Sequence, residues 1–255
     1  MMTRKAATAA LITGLLLASA SHGDSRENDR DNEHDLDSAR VATGQFDYRT
    51  ILEVGDTRLD IESVRHIRVG NDAPAHTLEI RTVTRTDMGK TEDQLTLDFE
   101  SLLPIDRRVH QDDGRMQVNY GPGKVTGTIQ AAGQTVAVDL ALDEPAYAGE
   151  SGLEAVLMAI PLASGQDFEL RVIEIDVETA VRVFRIRVGE VETIEVPAGR
   201  FSAWPVHVKA TDEFEDEQTI WISDASPRSF VKASAPVPAD LGDGSLTTEL
   251  VSSGD

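Results

Sequence analysis

The sequence predicts a mainly β fold, an antiparallel meander curled into an open or half-closed β-barrel that holds one short amphipathic helix. Three observations carry that prediction. Apolar and polar residues alternate in stretch after stretch from Gly44 onward, the period of a half-buried strand. Gly, Pro, Asn and Asp clusters, short enough to be hairpin turns, separate the stretches. Only residues 151–160 carry helical spacing together with start and stop signals.

Residues 1–20 read as a secretory signal peptide. Arg4 and Lys5 form a basic start, Ala6 to Leu17 an apolar run, and Ala18-Ser19-Ala20 an A-x-A cleavage site. The run is too short, and too diluted by Thr8, Thr13 and Gly14, to cross ~30 Å of hydrocarbon as an anchor. The expected mature chain begins at Ser21, is not integral to the membrane after cleavage, and resides in the periplasm or is secreted. The chain has no cysteine, which excludes disulfides, thiolate metal sites and a lipidated N-terminal Cys.

Residues 21–43 are expected to be an acidic disordered linker, because the segment has too few apolar residues to offset the entropy of ordering. Within it Asp29, Asp31, Glu33, Asp35 and Asp37 alternate as oxygen ligands do in a calcium loop, but the loop glycine and the closing bidentate glutamate are missing. A solvated tail without metal is the expectation. The formal net charge of the chain is −21, and loss of Arg4 and Lys5 takes it to −23. Such a surface repels phosphate backbones and anionic membrane faces, so nucleic acid is excluded as a partner.

From residue 44 to 255 the chain reads as a single barrel-like domain. Leu59, Ile61, Ile67 and Val69 mark one strand, Leu78 and Ile80 a second, and Leu95, Leu97 and Phe99 a third, with turn clusters at Gly70 to Pro74 and Asp87 to Lys90. Met116, Val118 and Tyr120 lead into a turn at Gly121-Pro122-Gly123. Val125, Gly127 and Ile129 follow, then a turn at Gly133, then Val136, Val138, Leu140 and Leu142.

Ser151 and Glu154 form an S-x-x-E capping box, Leu153, Val156, Leu157 and Ile160 fall at i, i+3, i+4 and i+7, and Pro161 ends the helix. Its apolar face must be covered. It either plugs the mouth or concave face of a curled sheet, or closes one end of the core.

Two later strands change phase. Leu170 and Val172 give way to Ile173, Ile175 and Val177, and Val181 and Val183 to Phe184, Ile186 and Val188. β-Bulges near Val172 and Val183 would produce this and would coil the sheet; strands buried on both faces would produce it too. Pro197-Ala198-Gly199 then makes a tight turn. The returning strand has Trp204, Val206, Val208 and Ala210 on one face and Ser202, His207 and Lys209 mostly on the other. Asp212, Glu213, Glu215, Asp216 and Glu217 read as a solvated acidic loop.

Val188-Gly189-Glu190-Val191-Glu192, then Val196-Pro197-Ala198-Gly199-Arg200-Phe201-Ser202-Ala203-Trp204, then Trp221 on a following strand, resemble the bacterial family of unknown function DUF3108. Leu102-Leu103-Pro104 and Ile160-Pro161-Leu162-Ala163-Ser164-Gly165 look like its other landmarks. The resemblance spans most of residues 45 to 251. It implies an envelope or secreted protein with an antiparallel, partly closed β-barrel similar to the lipoprotein carriers of the bacterial periplasm. Gln166 stands where many members have an aromatic residue, so no ligand contact is carried over to that position.

Signals for chemistry are few. Gly149-Glu150-Ser151-Gly152-Leu153 lacks the last glycine of a nucleophile elbow. The histidines His22, His34, His66, His76, His110 and His207 show no metal-ligand spacing, although a hairpin would bring His66 towards His76. There is no phosphate loop and no dinucleotide fingerprint. The expectation is a non-enzymatic protein without cofactor. Leu153, Leu157, Ile173, Phe184, Trp204 and Trp221 are the candidates to line an apolar pocket for a hydrophobic or lipid-like small molecule. The alternative is a structural or protein-interaction module with a filled barrel, whose partner is an envelope protein. Small interior residues around a void mark the first; interdigitated Leu, Phe and Trp mark the second.

Overall fold

A computed structural model describes residues 35–70, 76–87, 89–175, 179–212, 216–237 and 242–254. Residues 1–20, read as a signal peptide, residues 21–34 of the expected linker, and residues 71–75, where a turn is expected, lie outside the described residues.

The alternating stretches form strands in chain order. β1 (Gly44–Val54), β2 (Thr57–Gly70), β3 (Thr77–Thr86), β4 (Gly89–Asp98), β5 (Pro104–His110), β6 (Gly114–Gly121), β7 (Lys124–Ala131) and β8 (Gln134–Ala141) run as successive hairpins. A two-residue strand β9 (Tyr147–Ala148) leads into the helix α1 (Ser151–Ala159). Then come β10 (Asp167–Glu174), β11 (Ala180–Val188), β12 (Glu192–Val196), β13 (Gly199–Ala210), β14 (Glu217–Ser223), β15 (Phe230–Pro236) and β16 (Gly244–Gly254).

All sixteen join one sheet, ordered β8-β7-β6-β5-β4-β3-β2-β1-β16-β15-β14-β13-β11-β10-β9, with β12 paired to the first part of β13. The first and last strands are therefore neighbours inside the sheet, along ten residue pairs from Gln45↔Gly254 to Val54↔Gly244. The pairings are antiparallel except β9 with β10. Hydrogen bonds among the described residues do not join β8 to β9, so the sheet is curled but open. This is the half-closed, helix-bearing β fold that the alternation predicts.

Two apolar clusters fill the sheet. The main one surrounds α1 and includes Leu78, Leu97, Leu170, Ile186, Val206 and Ile222. The second joins Val109, Met116, Val118, Val125 and Val138 of β5 to β8 with Ile173 of β10. This division explains the phase change, and it corrects one expectation. β10 and β11 pair in unbroken register from Asp167↔Arg187 to Glu174↔Ala180, so there is no bulge at Val172 or Val183. Instead β10 is covered on both faces. Val172 enters the main core and its neighbour Ile173 the second, each 1% exposed. The register breaks that bend the sheet lie elsewhere, at Asp47/Tyr48, Thr96/Leu97 and Trp221/Ile222.

The linker also ends earlier than its composition implies. Asp37 caps a 3-10 turn, Ser38–Arg40, and its backbone N–H donates to the carbonyl of Ala159 at the end of α1. Val41 and Ala42 are buried, and Ala42 donates to the carbonyl of Arg228 over 2.8 Å. Two small apolar residues and a capping aspartate suffice to dock a segment that is polar on average.

Candidate functional site

The helix is the element around which the interior is built, and its start differs from the sequence reading. The capping box does not form. Glu150, not Ser151, is the N-cap residue; it has φ 51 and ψ −119, and no side chain caps the first turn. Ser151 lies inside the helix and is buried. Glu154, the acid of the expected box, instead turns to the sheet and accepts a hydrogen bond from Arg65 of β2. Every other residue of α1 is buried. The amphipathic spacing thus marks a helix wrapped on almost all sides. Its approach is close: a Cβ on Gly152 would stand 2.7 Å from the Ala148 Cβ.

Around α1 the concave face is filled. A side chain beside a void wide enough for water retains surface of its own. Ala155, Val156, Leu157, Leu170, Ile186 and Val206 retain none, at 0% exposure. Of the six pocket candidates, Leu153, Leu157 and Phe184 meet in this main core, and Trp204 packs partly against it. Trp204 directs its indole N–H to Asp224 over 2.8 Å. Ile173 belongs to the second core. Trp221 lies between Ile220 and Ile222, both core residues, and so points to the opposite face; its N–H donates to Glu192 and Lys232 stands 5.8 Å from its ring. The six do not line one chamber.

Charges gather at the base of the helix. Arg65 pairs with Glu154, donates to the Thr82 hydroxyl over 3.4 Å, and lies 5.1 Å from the ring of Tyr48 and 5.5 Å from that of Phe230. The buried Tyr48 hydroxyl in turn donates to the carbonyl of Phe230. On β5, Arg107 grips Asp93 of β4 through Nε at 3.1 Å and Nη2 at 2.7 Å, and Nη2 also donates to Glu150. Burial pushes the Glu154 carboxyl up, and Arg65 opposes that shift. For Arg107 burial acts to lower proton affinity, but Asp93 and Glu150 outweigh it and hold the guanidinium charged. Sequence reasoning missed this collar, since its residues come from four separate segments. An arginine at an inward position of a strand, as Arg65 and Arg107 are, was the available signal.

The remaining chemistry is dispersed. His66 pairs with Arg81 and not with His76, which stacks on Phe99 with ring centroids 4.0 Å apart. Asp212 and Asp216 are not simply solvated: both pair with Arg182, at 2.6 and 2.8 Å, as Glu174 does at 2.9 Å. Residues 213–215 of that loop lie outside the described residues. Among the described residues no group of three or more His, Asp or Glu is placed to hold a metal ion, and no helix is long and apolar enough to cross a membrane. A groove of about 660 Å³ opens on the outside of the sheet between β11, β13 and β14, lined in part by Arg185, Arg187, His207 and Lys209.

β8 is the long free edge. It pairs with β7 from Lys124↔Ala141 to Ala131↔Gln134 without a bulge, and no described strand pairs with its other side. Val136 on it is 56% exposed. Its single charged residue, Asp139, is engaged with Lys124 at 3.0 Å.

The family model described as protein of unknown function (DUF3108) matches residues 43–251 of this sequence. No curated protein and no solved structure matches it.

Proposed function

Because this chain belongs to the DUF3108 family, whose members are described only as proteins of unknown function, we propose a role from its own geometry: an exported, non-enzymatic interaction module with a filled barrel, which holds an extended segment of an envelope protein along the free edge of β8. The observation that carries the reading is the pairing of an interior filled around α1 with an unprotected edge. An eight-residue strand without proline, bulge or unpaired charge leaves a row of backbone N–H and C=O groups open to a partner strand. The net charge of −21 disfavours a second copy of this chain there and favours a basic partner. The signal-like residues 1–20 support export to the periplasm or medium.

The test is site-specific photo-crosslinking of the full chain in its own host, with the crosslinker at Thr135 on β8 and a control at Val251 on β16. An adduct at Thr135 that maps to one extended segment of an envelope protein and disappears in Val136→Lys is the expected result. Equal adducts at both positions, or none at Thr135, would overturn it.

A second reading rests on the charged collar. The ion pairs Arg65–Glu154 and Arg107–Glu150 hold the charged side of α1 to the sheet, and a helix released from them would leave an apolar concave face to a lipid-like ligand. Native mass spectrometry of detergent-free protein and titration with fluorescent fatty acids test it. No co-purified lipid and no saturable binding would remove the carrier reading.

A further inference from the structure

Glu150 holds a position that a free carboxylate fits. Its backbone, at φ 51 and ψ −119, is one that a residue with a side chain rarely adopts. Its side chain is 49% exposed yet bonds to Arg107, whose side chain is only 7% exposed. Asp93 grips the same guanidinium through two bonds and is 13% exposed. Arg107 therefore has one carboxylate fixed inside and one reaching in from the rim.

Tyr120 supplies an independent observation. Its hydroxyl is buried and finds no hydrogen-bond partner among the described residues, a loss that native proteins rarely tolerate. Arg107 pairs with Val118, and Tyr120 follows two residues along β6, on the same face of the sheet. Burial pushes the phenol well above its ordinary range, and the charges of Arg107, Asp93 and Glu150 all act on it. Val109 and Val118 of the second core flank the site.

We propose that this is a binding site for a small monocarboxylate with an apolar body, one oxygen accepting from Arg107 Nη2 and the other from the Tyr120 hydroxyl once Glu150 swings into solvent. The charge count selects the ligand. Two arginines face three carboxylates here, Asp93, Glu150 and Glu154, while Asp106, whose charge also reaches Tyr120, is paired with Arg108; exchange of Glu150 for a monoanion leaves that balance unchanged. A phosphate dianion adds a charge beside two buried carboxylates, one of which already gains in proton affinity from burial. The apolar second core against which Tyr120 packs favours an apolar body over a polar one.

Calorimetric titration of the full chain with sodium hexanoate tests this, with inorganic phosphate as comparison. Glu150→Gln removes the internal competitor and is expected to bind hexanoate about tenfold more tightly than the unsubstituted protein. Tyr120→Phe is expected to bind about fivefold more weakly while its unfolding midpoint holds or rises, since an unpaired buried hydroxyl is gone. Arg107→Lys is expected to lose binding, and the Tyr120→Phe comparison stands even if that variant fails to fold. The inference is overturned if Glu150→Gln binds no more tightly, if Tyr120→Phe binds unchanged, or if phosphate binds as well as hexanoate.

Discussion

Arg65 and Glu154 stand 89 positions apart in the chain and form one ion pair, with 12% and 14% of their side-chain surfaces exposed. The pair ties α1 to β2 where neither partner has much water to fall back on. Removing one partner leaves the other charged and uncompensated. Glu154→Gln is expected to destabilise the protein by about 3 to 5 kcal/mol in denaturant unfolding, and the double change Arg65→Met with Glu154→Leu to recover most of that. A loss below about 1 kcal/mol for Glu154→Gln would mean that water reaches the pair.

Leu157 has no exposed surface and sits at the centre of the main core. Truncation to Ala removes apolar contact and leaves a cavity, which costs about 2 to 5 kcal/mol when the walls do not collapse. Urea unfolding measures it. A loss under about 1 kcal/mol would show that the helix is loosely seated.

Gly199 has φ +127, and a Cβ built there meets nothing within 4 Å. Crowding is absent, so any effect of a side chain is backbone strain. Gly199→Val is expected to lose about 1 to 3 kcal/mol, read as a lower thermal midpoint. An unchanged midpoint would show that the turn relaxes.

Hydrogen bonds from Arg81 and Lys90 hold the Glu92 carboxyl down from 4.5 to about 2. A lowered folded-state value contributes stability that is fully present above pH 4.5 and is lost as the pH falls towards 2. Glu154, raised by burial, acts with the opposite sign and disfavours the fold as the pH rises through the range between its unfolded and folded values. Glu92→Gln should therefore flatten the acid limb of the stability profile. Because the pair is near the surface, the effect is expected to stay within about 1 kcal/mol and to shrink in high salt. An acid limb identical to that of the unsubstituted protein would assign the loss to other carboxylates.

Intact-mass measurement of protein from the periplasm or medium is expected to give a chain beginning at Ser21. Retention of residues 1–20 in a membrane fraction would refute the signal-peptide reading.

The strands were legible because alternation is a local signal. Val125, Gly127 and Ile129 declare one face of β7 whatever they pack against. The order of hairpins from β6 to β8 followed from turns too short to permit anything else, whereas β5 was not read as a strand. What the sequence did not disclose is who meets whom at long range. Nothing near Ile173 says that β5 to β8 fold back to cover it, so double coverage and a bulge looked alike. S-x-x-E before an apolar run reads as a cap because capping is local, whereas Arg65, which claims Glu154, is far away in the chain. The six pocket candidates were chosen for apolar character, and apolar character does not separate the concave face, where Leu157 lies, from the outer one, where Trp221 lies.

The pairing of β1 with β16 has a consequence for how the protein is made. A ribosome delivers Gly44–Val54 long before Gly244–Gly254, so the seam between the halves of the sheet cannot form until every other strand has emerged. The meander from β1 to β8 can assemble as it appears, but β1 keeps one edge exposed until the final strand arrives. Closing so long a loop is entropically slow, which places this chain among high-contact-order folds. A chain stopped before residue 244 would present two half-sheets with unpaired inner edges to its neighbours, a state that chaperones bind and proteases remove.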